Sequence, residues 1–145
     1  MQHLIKVLSF KAHKMLNDPR FKQRVQQKFA IDEKHDVPYV AGYSADGKTI
    51  YIDRHLELME NGHDITPYLI THEKTEKSLI DVFGLDYQEA HHIATHVERE
   101  VVKEAGLKWN QYEHHYNKYV KGLAKEKLIN PPKDLDLTPY KDEKD

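Results

Sequence analysis

Cysteine is missing altogether from this 145-residue chain. Its absence removes disulfides, thiolate zinc fingers, iron–sulfur clusters and cysteine nucleophiles from the available chemistry. Any metal must therefore be held through nitrogen and oxygen. An excess of one charge is lacking too: 24 acidic residues stand against 22 basic ones, a formal net charge of -2. No overall field draws the protein to nucleic acid or to an anionic membrane. No apolar run approaches the ~20 residues of a membrane span. The stretch from Met1 to Phe10 has neither the long apolar centre nor the small-residue cleavage site of a secretory leader. The expectation is a cytoplasmic protein that binds neither nucleic acid nor membrane.

What the sequence has in excess is histidine, 11 residues scattered rather than contiguous. The length suits one domain with a real core, expected as a metal-binding domain over 1–130 followed by a polar arm over 131–145. Leu4, Ile5, Leu8, Ala12 and Met15 recur at helical spacing, and Asp18-Pro19 opens a second short helix as cap and first residue. From Val37 to Asp53 the pattern changes. Val37–Tyr43 and Thr49–Asp53 are rich in β-branched and aromatic residues, and the Asp46-Gly47 pair between them predicts a β-hairpin. Such a hairpin must pack on helices to be stable.

Thr66-Pro67 predicts a helix start and Gly84 its end. Asp86, with Glu89 three residues on, opens the next helix, which Gly106 ends. Pro67–Phe83 and Tyr87–Ala105 are thus expected as an antiparallel helical hairpin. A last helix, from Asn110 to about Leu128, carries Trp109, Tyr112, Tyr116, Tyr119 and Leu123 as a core stripe, with Tyr116 or Tyr68 able to reach a ligand. The fold class is α+β, mostly helical: a β-hairpin on a helical hairpin and further helices.

On the wheel of Pro67–Phe83, Leu69, Leu79, Ile80 and Phe83 define the buried stripe, with His72 and Glu76 in its middle and Glu73 on its flank. On the following helix Tyr87, Ala90, Ala94, Val97, Val101 and Ala105 are the stripe, and His91 and Glu98 lie near its centre. Counting from the turn at Leu85 brings Glu76 level with Ala94 and His72 level with Glu98. Two imidazoles and two or three carboxylates then share a buried seam. Unpaired buried carboxylates cost several kcal/mol each, and a divalent cation removes that penalty. Residues four apart on a helix can chelate one ion. His72, Glu76, His91 and Glu98 are therefore the candidate ligands, and the donor set suits zinc first, then manganese or iron.

His72-Glu73-Lys74-Thr75-Glu76 reads His-Glu-x-x-Glu, and over about Lys48 to Glu100 the chain resembles the zincin metallopeptidases, whose active helix carries His-Glu-x-x-His. The resemblance implies His72 as first ligand, Glu73 as general base, and Glu76 as second ligand where the family has histidine. It also implies a third ligand from the later helix, about twenty residues on, near His96 or Glu98. The wheel instead turns His91 and Glu98 inward, with His92 and His96 on the polar face. The implied function is a metal-dependent, peptidase-like hydrolase of a peptide or small molecule, with substrate lying along the hairpin edge at Lys48–Asp53. The alternative is a non-catalytic helical binding module locked by its metal.

Overall fold

The computed structural model describes residues 8–124 and 130–139. Five helices and three short strands follow one another as α1 (Phe10–Leu16), α2 (Pro19–Val25), β1 (Ala30–Asp32), β2 (Ala41–Tyr43), β3 (Thr49–Ile52), α3 (Thr66–Phe83), α4 (Tyr87–Glu104) and α5 (Trp109–Ala124). The fold is α+β and mostly helical. No helix among the described residues is long and apolar enough to cross a membrane.

Local chemistry sets most of these boundaries. Asp18 caps α2 by accepting from the Arg20 amide at 2.8 Å, and Pro19 follows it. Gly84 ends α3 at φ 66, a left-handed conformation that glycine adopts without Cβ strain. Asp86 then caps α4 through the Glu89 amide at 2.8 Å. Two helix starts differ from expectation. Thr66 is the first residue of α3 and not its cap; Ile65 stands at the cap position, where it makes no side-chain cap bond, and Asp64 accepts from the Thr66 amide at 2.9 Å. α1, expected from Leu4, starts at Phe10 behind Ser9, whose hydroxyl accepts from the Ala12 amide at 3.1 Å and caps the helix, with Leu8 before it; Leu4 and the expected end of α5 near Leu128 lie outside the described residues.

β2 and β3 form the expected antiparallel hairpin, with Gly42 opposite Tyr51, but the first strand is shorter than the expected Val37–Tyr43. Val37–Val40 makes a turn, the Val40 amide donating to the Val37 carbonyl at 3.2 Å with Tyr39 and Val40 at positive φ, and pairing begins at Ala41. The sequence did not suggest β1, which adds in parallel on the other side of β3, giving the order β1-β3-β2. The strand at Lys48–Asp53 is therefore central, hydrogen-bonded on both sides, and cannot accept a substrate as an added strand. The outer side of β2 is also engaged: the Asp136 amide donates to the Tyr43 carbonyl at 2.9 Å, and the Ala45 amide donates to the Asp134 carbonyl at 2.7 Å. Leu135, between these two bonds, is buried against Val37 and Tyr51.

Two apolar clusters flank the middle of the helical hairpin. One gathers Ile50, Ile52, Leu69, Val102 and Tyr112 at the sheet and α5. The other gathers Ala12, Met15, Phe21, Leu79, Ala90 and Ile93 where α1 and α2 cover the turn. α3 and α4 run through both, and Ala90 and Ala94 are fully buried between them, so the helices approach closely. Along α3, Leu69 belongs to the first cluster and Leu79 to the second. His72 and Glu76 fall in the polar gap between them.

Candidate metal centre

Three lone-pair atoms converge in that gap. His72 Nε2 lies 3.0 Å from Glu76 Oε2 and 3.2 Å from His91 Nδ1, and His91 Nδ1 lies 3.0 Å from Glu76 Oε2. Among the described residues this is the group of three with metal-ligand potential. His72 and Glu76 sit on one face of α3, four residues apart, and α4 supplies His91. A tetrahedral ion with bonds of ~2.1 Å has ligand-to-ligand edges of about 3.4 Å. The observed triangle is slightly tighter than that, so a small outward movement of three side chains would admit an ion.

The surrounding hydrogen bonds settle the roles of the remaining atoms. His72 Nδ1 faces Glu98 Oε1 at 2.8 Å. A carboxylate only accepts, so Nδ1 carries the proton and Nε2 is left for the triangle. Glu98 thus stands at the far nitrogen of the His72 ring and outside the converging group. Its other oxygen accepts from the Tyr112 hydroxyl. Tyr43, from β2, donates to Glu76 Oε1 at 2.8 Å, leaving Oε2 for the triangle. Burial first, and the adjacent carboxylates second, push the Tyr43 and Tyr112 phenols far above their usual range, so both remain donors. Tyr87, four residues before His91 on α4, places its hydroxyl 3.1 Å from His91 Nδ1.

With no proton on either ring nitrogen the inner edge of the triangle would be all lone pairs, so it needs a donor or a cation: His91 Nδ1–H donating to Glu76 Oε2 is one neutral solution. A proton on His72 Nε2, donated to the same carboxylate oxygen, is another. Burial alone would lower the His72 pKa, but hydrogen bonds to Glu76 and Glu98 outweigh it and raise it well above its ordinary value. Glu76 is likewise held down to about 2, against the effect of burial, by its hydrogen bonds to His72 and His91. A divalent cation is a third. It would use the same three atoms while leaving the His72–Glu98 bond intact, the carboxylate–histidine–metal arrangement that orients a ligand ring and raises its basicity.

The triangle opens on a cavity of about 390 Å³ lined by residues from β2, α3, α4 and α5. His91 is the exposed member, its side chain 38% accessible against 8% for His72 and 2% for Glu76. Glu73, one residue after His72, is on the cavity wall. Its carboxyl is pushed up to about 8, chiefly by burial and then by the Glu76 carboxylate.

Of the other sequence candidates, His92 is exposed, and His96 sits among Glu100, Arg99, His13 and His92, with Nε2 3.9 Å from Glu100 Oε1. Tyr68 bonds His63 at 2.7 Å and is not on the cavity wall, whereas Tyr116 is on it. The braces Tyr43, Tyr87 and Tyr112 escaped sequence reasoning. Tyr87 alone carried a local signal, its four-residue spacing from His91. No family model, curated protein or solved structure matches the chain.

If Glu98 acts through His72, its loss weakens metal affinity without removing a ligand. Glu98→Gln is expected to bind zinc about tenfold to hundredfold more weakly, by competition with a chelating dye. Glu100→Gln, an exposed neighbour on the same helix, is the control and should match wild type. Equal affinity in the two variants would remove the orienting role of Glu98.

Proposed function

We propose that this protein is a metal-dependent hydrolase of zincin-like type that cleaves a peptide or related amide bond, with His72, Glu76 and His91 as ligands and Glu73 as general base. The observation that carries this is the position of the triangle: three convergent ligand atoms at the floor of an open cavity, with a further carboxylate on the wall. A purely structural metal favours a closed coordination sphere. Here the protein supplies three ligand atoms and the exposed side is the cavity, an arrangement suited to catalysis.

When bound, a divalent ion supplies Lewis-acid chemistry that brings the pKa of water to about 7 and polarises a carbonyl. The chain's own residues do the rest. With the ion bound, Glu73 would accept a proton from the attacking water and return it to the leaving amine, a role supported by its position on the cavity wall. The positive charge of the ion favours the ionised form of Glu73, countering the burial that otherwise keeps it protonated. Glu98 and Tyr112 hold the His72 ring, and Tyr43 holds Glu76. Glu76 adds a negative charge where zincins have histidine, which makes the ion a weaker Lewis acid. Turnover is therefore expected to be slow relative to a His-Glu-x-x-His enzyme.

The test combines metal content with hydrolysis. Plasma mass spectrometry on untagged protein incubated with zinc should find about one equivalent, lost in His91→Ala. Internally quenched peptides should be cleaved by the loaded protein, not after chelation, and again after zinc is restored. No metal in wild type overturns the proposal. One equivalent with no hydrolysis across a broad peptide set removes the enzyme and leaves a metal-locked binding module.

A further inference from the structure

The cavity beside the triangle has a chemical character of its own. α5 presents Trp109, Tyr112, Glu113 and Tyr116 to it, residues three and four apart that share one helical face. The Trp109 and Tyr112 rings lie 5.2 Å apart, tilted by 35°. Tyr39 forms the opposite rim, held by an unusual backbone. Tyr39 and Val40 have φ of 56 and 80, two consecutive non-glycine residues in a region that costs L-residues about 1–2 kcal/mol each. This strain is maintained by bonds on both sides. The Tyr116 hydroxyl donates to the Tyr39 carbonyl at 3.1 Å, and the Asp53 amide donates to the Val40 carbonyl at 2.7 Å. An aromatic ring is thus placed over the cavity at an energetic cost that a relaxed loop would avoid.

Apart from the imidazoles of His72 and His91, the ionisable side chains described on the cavity wall are carboxylates and phenols. Glu73, Glu76, Glu98 and Glu113 are on its wall, and among the described residues no lysine or arginine is. A phosphate or carboxylate entering the aromatic side of the cavity, away from the triangle, meets Glu113 and, among the described residues, no lysine or arginine. An ammonium or guanidinium finds what favours it: faces of tryptophan and tyrosine, and a carboxylate, Glu113, at the exposed end. The sheet edge at β2 is engaged by residues 134–136, so a substrate cannot add there as a strand.

We infer that the cavity is the specificity pocket of the hydrolase and takes a cationic side chain, lysine or arginine, between Tyr39, Trp109 and Tyr116 with Glu113 at its mouth. The inference rests on the proposed hydrolase for its meaning, but the pocket itself can be tested without metal. Trp109 is the only tryptophan in the chain and lies on the cavity wall, so its fluorescence reports occupancy directly.

The probes are capped lysine, norleucine and glutamate, each prepared as the amide and as the hydroxamate, titrated against zinc-loaded and metal-free protein. In the amide series the lysine probe should bind about tenfold tighter than norleucine, and glutamate should not saturate. Glu113→Gln should lower the lysine preference several-fold, with an unchanged circular dichroism spectrum showing that this exposed position leaves the fold intact. Norleucine or glutamate binding as tightly as lysine overturns the inference whatever the metal does. The hydroxamate series reads the metal separately: hydroxamates should gain over amides only in the zinc-loaded protein. Absence of that gain, with the lysine preference intact, would count against the proposed open metal site and leave the cation pocket standing.

Discussion

Glu73→Gln should reduce kcat/KM by about 10² to 10⁴-fold, the range that a positioned general base contributes, while zinc content stays at that of wild type. Glutamine preserves the volume and keeps hydrogen-bonding atoms in place but cannot accept a proton. Three features make this a sharp test. Glu73 is beside a ligand and not one of the three converging atoms, so metal should be retained. It lines the cavity, so the change acts where substrate would lie. Its ionised form is disfavoured in the metal-free protein by burial and by Glu76, so removing the carboxylate should leave the fold at least as stable as before. Loss of rate with unchanged metal and unchanged melting temperature would place Glu73 in the chemistry. Full activity in the variant would show that the base lies elsewhere, and loss of zinc that Glu73 supports the metal instead.

Much of this site was legible before any coordinates, and the reasons are local. The four-residue interval between His72 and Glu76 is fixed by helical geometry. Gly84 and Asp86 lie so close together that α3 and α4 have to run antiparallel, and counting from that turn brought His72 level with Glu98, as observed at 2.8 Å. What the wheel could not give was ring orientation. Which nitrogen of His72 meets Glu98 and which meets Glu76 depends on side-chain torsions, and Tyr43 and Tyr112 supply the constraint from β2 and α5. β1 was hidden for a different reason. Ala30-Ile31-Asp32 is three residues long and largely exposed, with no alternation to detect, and its partner is parallel and distant in sequence. The polar composition of the segment after Pro132 likewise masks Leu135, one apolar residue whose burial depends on the neighbouring backbone pairing to β2.

Stripping the metal should lower the melting temperature by on the order of 10 °C, since a ligand at ~1,000 times its Kd stabilises by about 4 kcal/mol. The size of this gap should itself depend on pH. In the metal-free protein His72 has a raised pKa. Its contribution is fully present below the ordinary histidine value and is lost as pH rises through the folded value. Glu73, raised to about 8, acts in the same direction, favouring the folded state less as pH climbs above the usual carboxylate range. Glu76, held at about 2, acts oppositely, but its contribution is complete above the usual carboxylate pKa and is lost only in acid. Between pH 5 and pH 8 the metal-free protein should therefore lose stability steadily. Each proton bound only in the folded state is worth about 1.4 kcal/mol per pH unit, or ~3–5 °C in a chain of this length. The zinc-loaded protein should change in the other sense, because the ion replaces the proton on His72 Nε2 and competes best where protons are scarce. Paired melting curves with zinc and with chelator, taken at pH 5, 6.5 and 8, should diverge as pH rises. Superimposable curves at all three would mean that a protonated His72, and not a metal, fills the triangle.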